Sequence, residues 1–175
     1  MRGRLAFCLC LMTTTVIAQL SIGEALPEVS LNGDRGGLVA GGQWSSQSLK
    51  GKVHVLMYVD PDQSKLNSHV EEALSKRKFD RDQFATVAVI NMAATWKPNL
   101  IIDSILKSKQ EKYPNTVYVR DLKKILVSDW GLKDDSYHVL ALGADGRVLF
   151  SHPDALSETQ VQDLIAKIEG ALAQN

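Results

Sequence analysis

The sequence predicts an α/β domain: one mixed β-sheet with helices on its faces and a short β extension on its N-terminal side. Three observations predict it. Val53–Val59 and Phe84–Ile90 are nearly unbroken apolar, β-rich runs, the pattern of strands buried on both faces. The stretches that follow each of them carry apolar residues at helical spacing. Asp145-Gly146 stands between the apolar runs Tyr137–Leu142 and Arg147–Ser151, a strong hairpin signal. Strands joined through a helix run parallel and strands joined by a tight turn run antiparallel, so one sheet must hold both kinds of pair.

Taken in order, the chain opens with Arg2 and Arg4, an apolar run Leu5–Met12, and Thr13–Ala18 ending on a small residue. Basic, apolar, then small is the layout of a secretory signal peptide. We place the cleavage after Ala18, with residues 1–18 removed and 19–175 forming a single domain whose core begins near residue 51. The apolar stretch is too short for a membrane span of about 20 residues. Residues 19–50 are punctuated by Pro27, Gly33, Gly36-Gly37 and Gly41-Gly42 and read as a small hairpin or edge extension. After the Val53–Val59 strand, Asp60-Pro61-Asp62 stops the run. Ser64 opens a helix with Leu66, Val70, Ala73 and Leu74 on one face. Beyond the second strand, Pro98 sits in the first turn of a helix whose inner face carries Ile101, Ile102, Ile105 and Leu106. Thr116–Val119 and Ile125–Val127 read as short strands around an Asp121 turn. Ser157 with Gln160 reads as a capping box, and Val161, Leu164, Ile165, Ile168 and Leu172 line the buried face of the last helix. The order strand, helix, strand, helix, hairpin, helix is the plan of the thioredoxin fold.

The bulk composition narrows the function classes. A chain of 175 residues, 45% hydrophobic and 23% charged, has the balance of a folded globular protein and not of a disordered one. Formal net charge is zero, so no basic field points to nucleic acid or to an anionic membrane surface. No glycine-rich phosphate loop precedes a basic helix start. Both cysteines, Cys8 and Cys10, lie in the export segment. Phe7 and Leu9 precede them, where a lipidated cysteine would follow a small residue.

Gly51-Lys52-Val53, a strand ending at Asp60, and the run Val139 to Arg147 resemble the thioredoxin-like superfamily. The succession of Gly51-Lys52-Val53, Asp80-Arg81-Asp82-Gln83, Ala144-Asp145-Gly146-Arg147-Val148 and Ala155-Leu156-Ser157 resembles, more narrowly, the YtfJ family of small periplasmic proteins of Gram-negative bacteria. That resemblance runs from about Ala18 to Leu172. It implies a periplasmic location and a thioredoxin-like fold, and no biochemical activity, since none is established for the family. Thioredoxin-like enzymes carry their reactive cysteine just after the first core strand, at a helix start where the dipole favours the thiolate. Here that stretch reads Asp60-Pro61-Asp62-Gln63-Ser64. Their cis-proline before the hairpin strand is replaced by Asp135-Ser136-Tyr137-His138. Thiol–disulfide exchange and thiol peroxidase chemistry are therefore not expected.

The candidate binding residues are those at the corresponding end of the sheet: Asp60, Asp62, Gln63, Ser64, Tyr137 and His138. His138 and His152 fall at roughly opposed positions across the Asp145-Gly146 turn. With Asp60, Asp62 and Tyr137 they would gather two carboxylates and two imidazoles, fit for a borderline metal or for acid–base work. The plainer reading is that Asp60 or Asp62 caps a helix and that the histidines are edge residues in water. His54 belongs to the opposite end of the sheet. His69 is read as a half-buried packing residue, and Trp44, Trp96 and Trp130 as lids near loops. We expect no catalytic residue, resident metal or cofactor. The expected role is a periplasmic, non-redox binding module for a protein or small ligand, free of nucleic acid and of the membrane once cleaved. The alternative is a metal-binding protein or acid–base enzyme built on the Asp/His cluster.

Overall fold

The structure is a computed structural model that describes residues 20–174; the export segment, with Ala18, Cys8 and Cys10, lies outside the described residues. Twelve regular elements follow in order. Short strands β1 (Ser30–Leu31), β2 (Gly36–Leu38) and β3 (Trp44–Ser45) precede β4 (Val53–Val59) and α1 (Ser68–Arg77). Then come β5 (Phe84–Asn91), α2 (Asn99–Lys112), β6 (Thr116–Asp121), α3 (Ile125–Trp130), β7 (Tyr137–Leu142), β8 (Val148–His152) and α4 (Glu158–Leu172).

Six strands form one sheet in the order β2-β6-β5-β4-β7-β8, and β1 and β3 pair separately. β4, β5 and β6 are parallel; β7 lies antiparallel to β4, and β8 antiparallel to β7. The expected N-terminal extension is divided: β1–β3 makes a two-residue pair, while β2 joins the main sheet against β6. Because the strand order runs from β4 through β5 to β6 in one direction, right-handed crossovers put α1 and α2 on the same face. Alternation then splits the core in two. Val53, Val55, Met57 and Val59 of β4 face α1, α2 and α4 on the first face. Leu56 and Tyr58 face α3 and the β1–β3 pair on the second.

Four expectations need correction. Ile125–Val127 is not a strand but the start of α3. The Asp121 carboxylate accepts hydrogen bonds from the amides of Lys123, Ile125 and Leu126, which coils the chain. Leu126 and Trp130, one turn apart, bury the inner side of that helix; so short an apolar run fits strand and helix equally. The first helix opens at Ser68 and not at Ser64, because Asp60 caps a 3-10 turn over Pro61–Gln63 that intervenes. On α2 only Ile102 and Leu106 are buried, whereas Ile101 and Ile105 face outward, 54% and 52% exposed. His69 is exposed, with Nε2 donating to the Leu156 carbonyl at 2.8 Å.

The tryptophans part ways. Trp44 and Trp130 are core residues in edge-to-face contact at 6.4 Å, and Trp130 Nε1 donates to the Pro27 carbonyl. Trp96 is 87% exposed in the loop before α2. The last helix begins as expected: Ser157 and Gln160 form a reciprocal capping box.

Candidate functional site

The C-terminal ends of β4, β5 and β6 lie side by side, where the chain leaves the parallel strands. Asp60 ends β4 and is 3% exposed. Its Oδ1 accepts the Asp62 amide at 2.7 Å, and its own amide donates to the Ser136 carbonyl at 2.9 Å. The turn after β4 is thus hydrogen-bonded to the loop before β7. Burial raises the Asp60 carboxyl above the ordinary carboxylate range, and the charges of Asp62, Asp135 and Asp134 add to it, against the opposing Asp62 amide bond. Asp62, two residues on, is exposed and forms an ion pair with Lys97; its hydrogen bonds to Lys97 and Thr95 hold its carboxyl low. Gln63 and Ser64 are exposed beside it.

The remaining expected residues separate by face. Tyr137 turns to the first face, where its hydroxyl donates to Glu71 Oε1 at 2.6 Å and lies 3.1 Å from Met57 Sδ. Burial, then the Glu71 carboxylate, drives that hydroxyl's pKa upward. His138 turns to the second face, opposite Tyr58 of β4. Its Nε2 meets Ser151 Oγ at 2.9 Å, and Nδ1 is buried with no partner among the described residues. Burial, with a smaller push from His152, lowers its pKa to about 4, so the ring is neutral at neutral pH.

His138 and His152 do not meet as expected. Register counted back from the Asp145-Gly146 turn pairs Leu142 with Val148 and would pair His138 with His152. A β-bulge beyond Leu142 shifts the register, so His152 stands opposite Val139. A one-residue slip moves a side chain to the other face, and His152 points toward Gln160 of α4. His54 does lie at the opposite end of the sheet, with Nδ1 donating to the Lys52 carbonyl and burial lowering its pKa. Among the described residues no three of His, Cys, Asp and Glu are grouped so as to hold a metal ion.

Residues that the sequence reading passed over furnish this end instead. The register Val59–Ile90–Arg120 carries Asp60, Asn91 and Asp121 onward as a buried row on the second face. Asp121 is consumed structurally: besides capping α3 it accepts the Tyr58 hydroxyl at 3.1 Å. Asn91 Nδ2 donates to Asp134 Oδ1 at 2.9 Å, while its Oδ1 has no partner among the described residues. Lys124 closes the row by donating to Asp134 Oδ2 at 2.5 Å. Burial works against the Asp134 carboxylate, but Lys124, the Asp135 amide and Asn91 together hold its pKa low. Asn67, fully buried at the start of α1, binds both the β7 strand and the loop before α4. The one available signal was a lone Asn or Asp ending each apolar run, at Asn91 and Asp121.

A sheet of this order, with the first core strand followed by a capped turn and helix, defines a thioredoxin-like protein. Solved structures agree in fold. A thiol-disulfide isomerase from Corynebacterium glutamicum matches with a TM-score of 0.57 over 94% of this chain and 100% of its own, at 14% identity. The exposed lipoprotein thioredoxin of Streptococcus pneumoniae matches with a TM-score of 0.57 over 82% of this chain and 99% of its own, at 13% identity. These likenesses are of fold alone. Within that class, residues 13–171 match the YtfJ_HI0045 family, bacterial proteins of unknown function, and the chain belongs to that family. The uncharacterized protein YtfJ of Escherichia coli (strain K12) is 29% identical over 173 residues, covering 92% of this chain and 94% of that one.

Proposed function

We propose that this protein is an exported, non-redox binding module of the periplasm, using the end of the sheet where thioredoxin-fold enzymes carry their thiol. One observation carries the reading. The turn after β4 keeps its hydrogen bond to the loop before β7, yet it offers Asp60 and Asp62 where those enzymes offer cysteine. The chain's two cysteines both precede Ala18, so cleavage there leaves no thiol at all. Exposed Asp62, Gln63 and Ser64, with Lys97 and Trp96 beside them, form the surface that meets a protein or small ligand. The test is a photo-crosslinking residue at Gln63 in the full chain, expressed in its own cell, with Asp163 on α4 as control. Discrete adducts from position 63 alone support the module. Their absence, or thiol–disulfide turnover by the purified protein, refutes it.

A second reading, acid–base work, is favoured by a single observation: burial and neighbouring carboxylates raise the Asp60 carboxyl toward the range a proton-transfer group needs. Loss of a measured turnover in Asp60→Asn would support it. His138 takes no part in that reading, since the charges acting on it are those of His152 and Asp154.

A further inference from the structure

Helix α2 is held to the sheet by Ile102 and Leu106, and its outward side is unusually apolar. The described chain exposes seven large hydrophobic residues, and five of them lie on α2 or at its ends: Trp96, Leu100, Ile101, Ile105 and Tyr113. Contiguous exposed apolar surface of this kind marks an interaction site. On the helix the strip covers the first turns, Leu100 to Ile105, and it begins near the Asp62–Lys97 pair. At its far end a shallow cavity of about 330 Å³ is lined by Ser104, Ile105, Ser108, Lys109, Lys112 and Tyr113.

The charge at that end is mostly basic: Lys107, Lys109 and Lys112 stand with one carboxylate, the exposed Glu111, among them. Lys97 is tied to Asp62 and Lys107 to Asp103, but no ion pair of Lys109 or Lys112 occurs among the described residues. The Lys112 ammonium instead lies 5.3 Å from the centre of the Tyr113 ring. An apolar strip ending in a cavity with two uncompensated ammonium groups asks for an occupant with apolar residues along one face and carboxylates at one end.

We infer that α2 docks an amphipathic segment of another protein, its apolar face on Ile101 and Ile105 and an acidic side chain between Lys109 and Lys112. A second copy of the chain fits poorly. Parallel packing sets lysine on lysine, and antiparallel packing sets lysine on the positive N-terminal end of the helix. A lipid surface would cover the protruding Leu100 and Trp96 and leave the cavity unfilled. The inference rests on the binding-module reading and extends its surface from Lys97 along α2.

The experiment places the photo-crosslinking residue at Ser104, which is exposed and lines the cavity, in the full chain in its own cell. The cross-linked peptide is then sequenced. The expected adduct is a foreign segment with apolar residues at helical spacing and Asp or Glu at one end. It should fall about tenfold in yield in a Lys109→Glu/Lys112→Glu variant whose melting is unchanged, as opposed charges across an interface require. An adduct to a second copy or to lipid overturns the inference, as does one that survives the charge reversal. Adducts at Gln63 with none at Ser104 overturn this inference alone; adducts at Ser104 with none at Gln63 overturn only the site at the end of β4.

Discussion

Asn67→Ala should destabilise the protein more than any other single polar-to-alanine change at the end of the sheet. Asn67 is fully buried, and its side chain caps nothing in its own helix. It is spent on three tertiary hydrogen bonds. Nδ2 donates to the Asp154 carbonyl at 2.8 Å and to the Tyr137 carbonyl at 3.3 Å, and Oδ1 accepts the Leu156 amide at 3.0 Å. These bonds fasten α1 to β7 and to the segment leading into α4. Each is worth about 1 kcal/mol net, and a buried group left without a partner costs about 1–3 kcal/mol, so the loss should be about 3 kcal/mol or more. For a domain of this size that lowers the melting midpoint by roughly 6–12 °C. The assay is urea and thermal unfolding followed by circular dichroism, with Asn67→Asp alongside. The aspartate keeps the acceptor, loses both donors and turns a carboxylate toward two carbonyls, so it should be at least as damaging. A loss under about 1 kcal/mol in Asn67→Ala would mean that these bonds are not net stabilising and would refute the reasoning.

Other perturbations follow from single observations. His138 has a folded pKa of about 4, below the ordinary histidine value of 6.5, so only the unfolded chain gains a proton as pH falls between them. Stability should therefore be lost from about pH 6.5 down to about 4, by up to roughly 3 kcal/mol, and hold steady below; urea melts of wild type against His138→Gln should show the variant's slope to be shallower. Ser157→Ala removes the acceptor for the Gln160 amide and breaks the capping box, at a cost of about 1 kcal/mol read from the denaturation midpoint. Gly36→Ala would put a Cβ 1.9 Å from the Arg120 carbonyl oxygen, in a backbone at φ 129°. Hydrogen exchange should show the β2–β6 amides losing protection while β4 and β5 keep theirs.

The layers of the fold are legible because the sequence states them with two different periods. β4 and β5 are apolar at nearly every residue, the pattern of strands covered on both faces. α4 announces its start with Ser157 and Gln160 and its inner face with Val161, Leu164, Ile165 and Ile168. Where the reading failed, the deciding contact was remote. Nothing local distinguishes Ile125–Val127 from a strand; the Asp121 carboxylate, four residues back and fixed by the Tyr58 hydroxyl on another strand, makes it a helix. α2 failed for the opposite reason. Four apolar residues at helical spacing look like one buried face, but the sheet has room for Ile102 and Leu106 only, and Ile101 and Ile105 are left outside.

The candidate site shows why a list of reactive residue types is not yet a site. Distance from the strand ends groups Asp60, Asp62, Tyr137, His138 and His152, a measure that ignores which way each side chain points. Alternation sends Tyr137 to α1 and His138 to the other face, and a single bulged residue in the hairpin takes His152 away from His138. What the sheet end does assemble is the row Asp60, Asn91 and Asp121, with Asp134 and Lys124 closing it. Most of that row's hydrogen-bonding capacity is spent on the protein's own turns: Asp121 on α3, Asp60 on the Asp62 amide. A reactive centre needs its polar groups free to meet a substrate, whereas here they fix the loops that surround the exposed Asp62, Gln63 and Lys97. Apart from Asn91 Oδ1, which has no partner among the described residues, the chemistry of the sheet end is thus structural at its base and open at its rim, and Lys97 of that rim leads in sequence into α2. An extended surface with charge at both ends can select a partner, and that is the property which crosslinks at Gln63 and Ser104 read out.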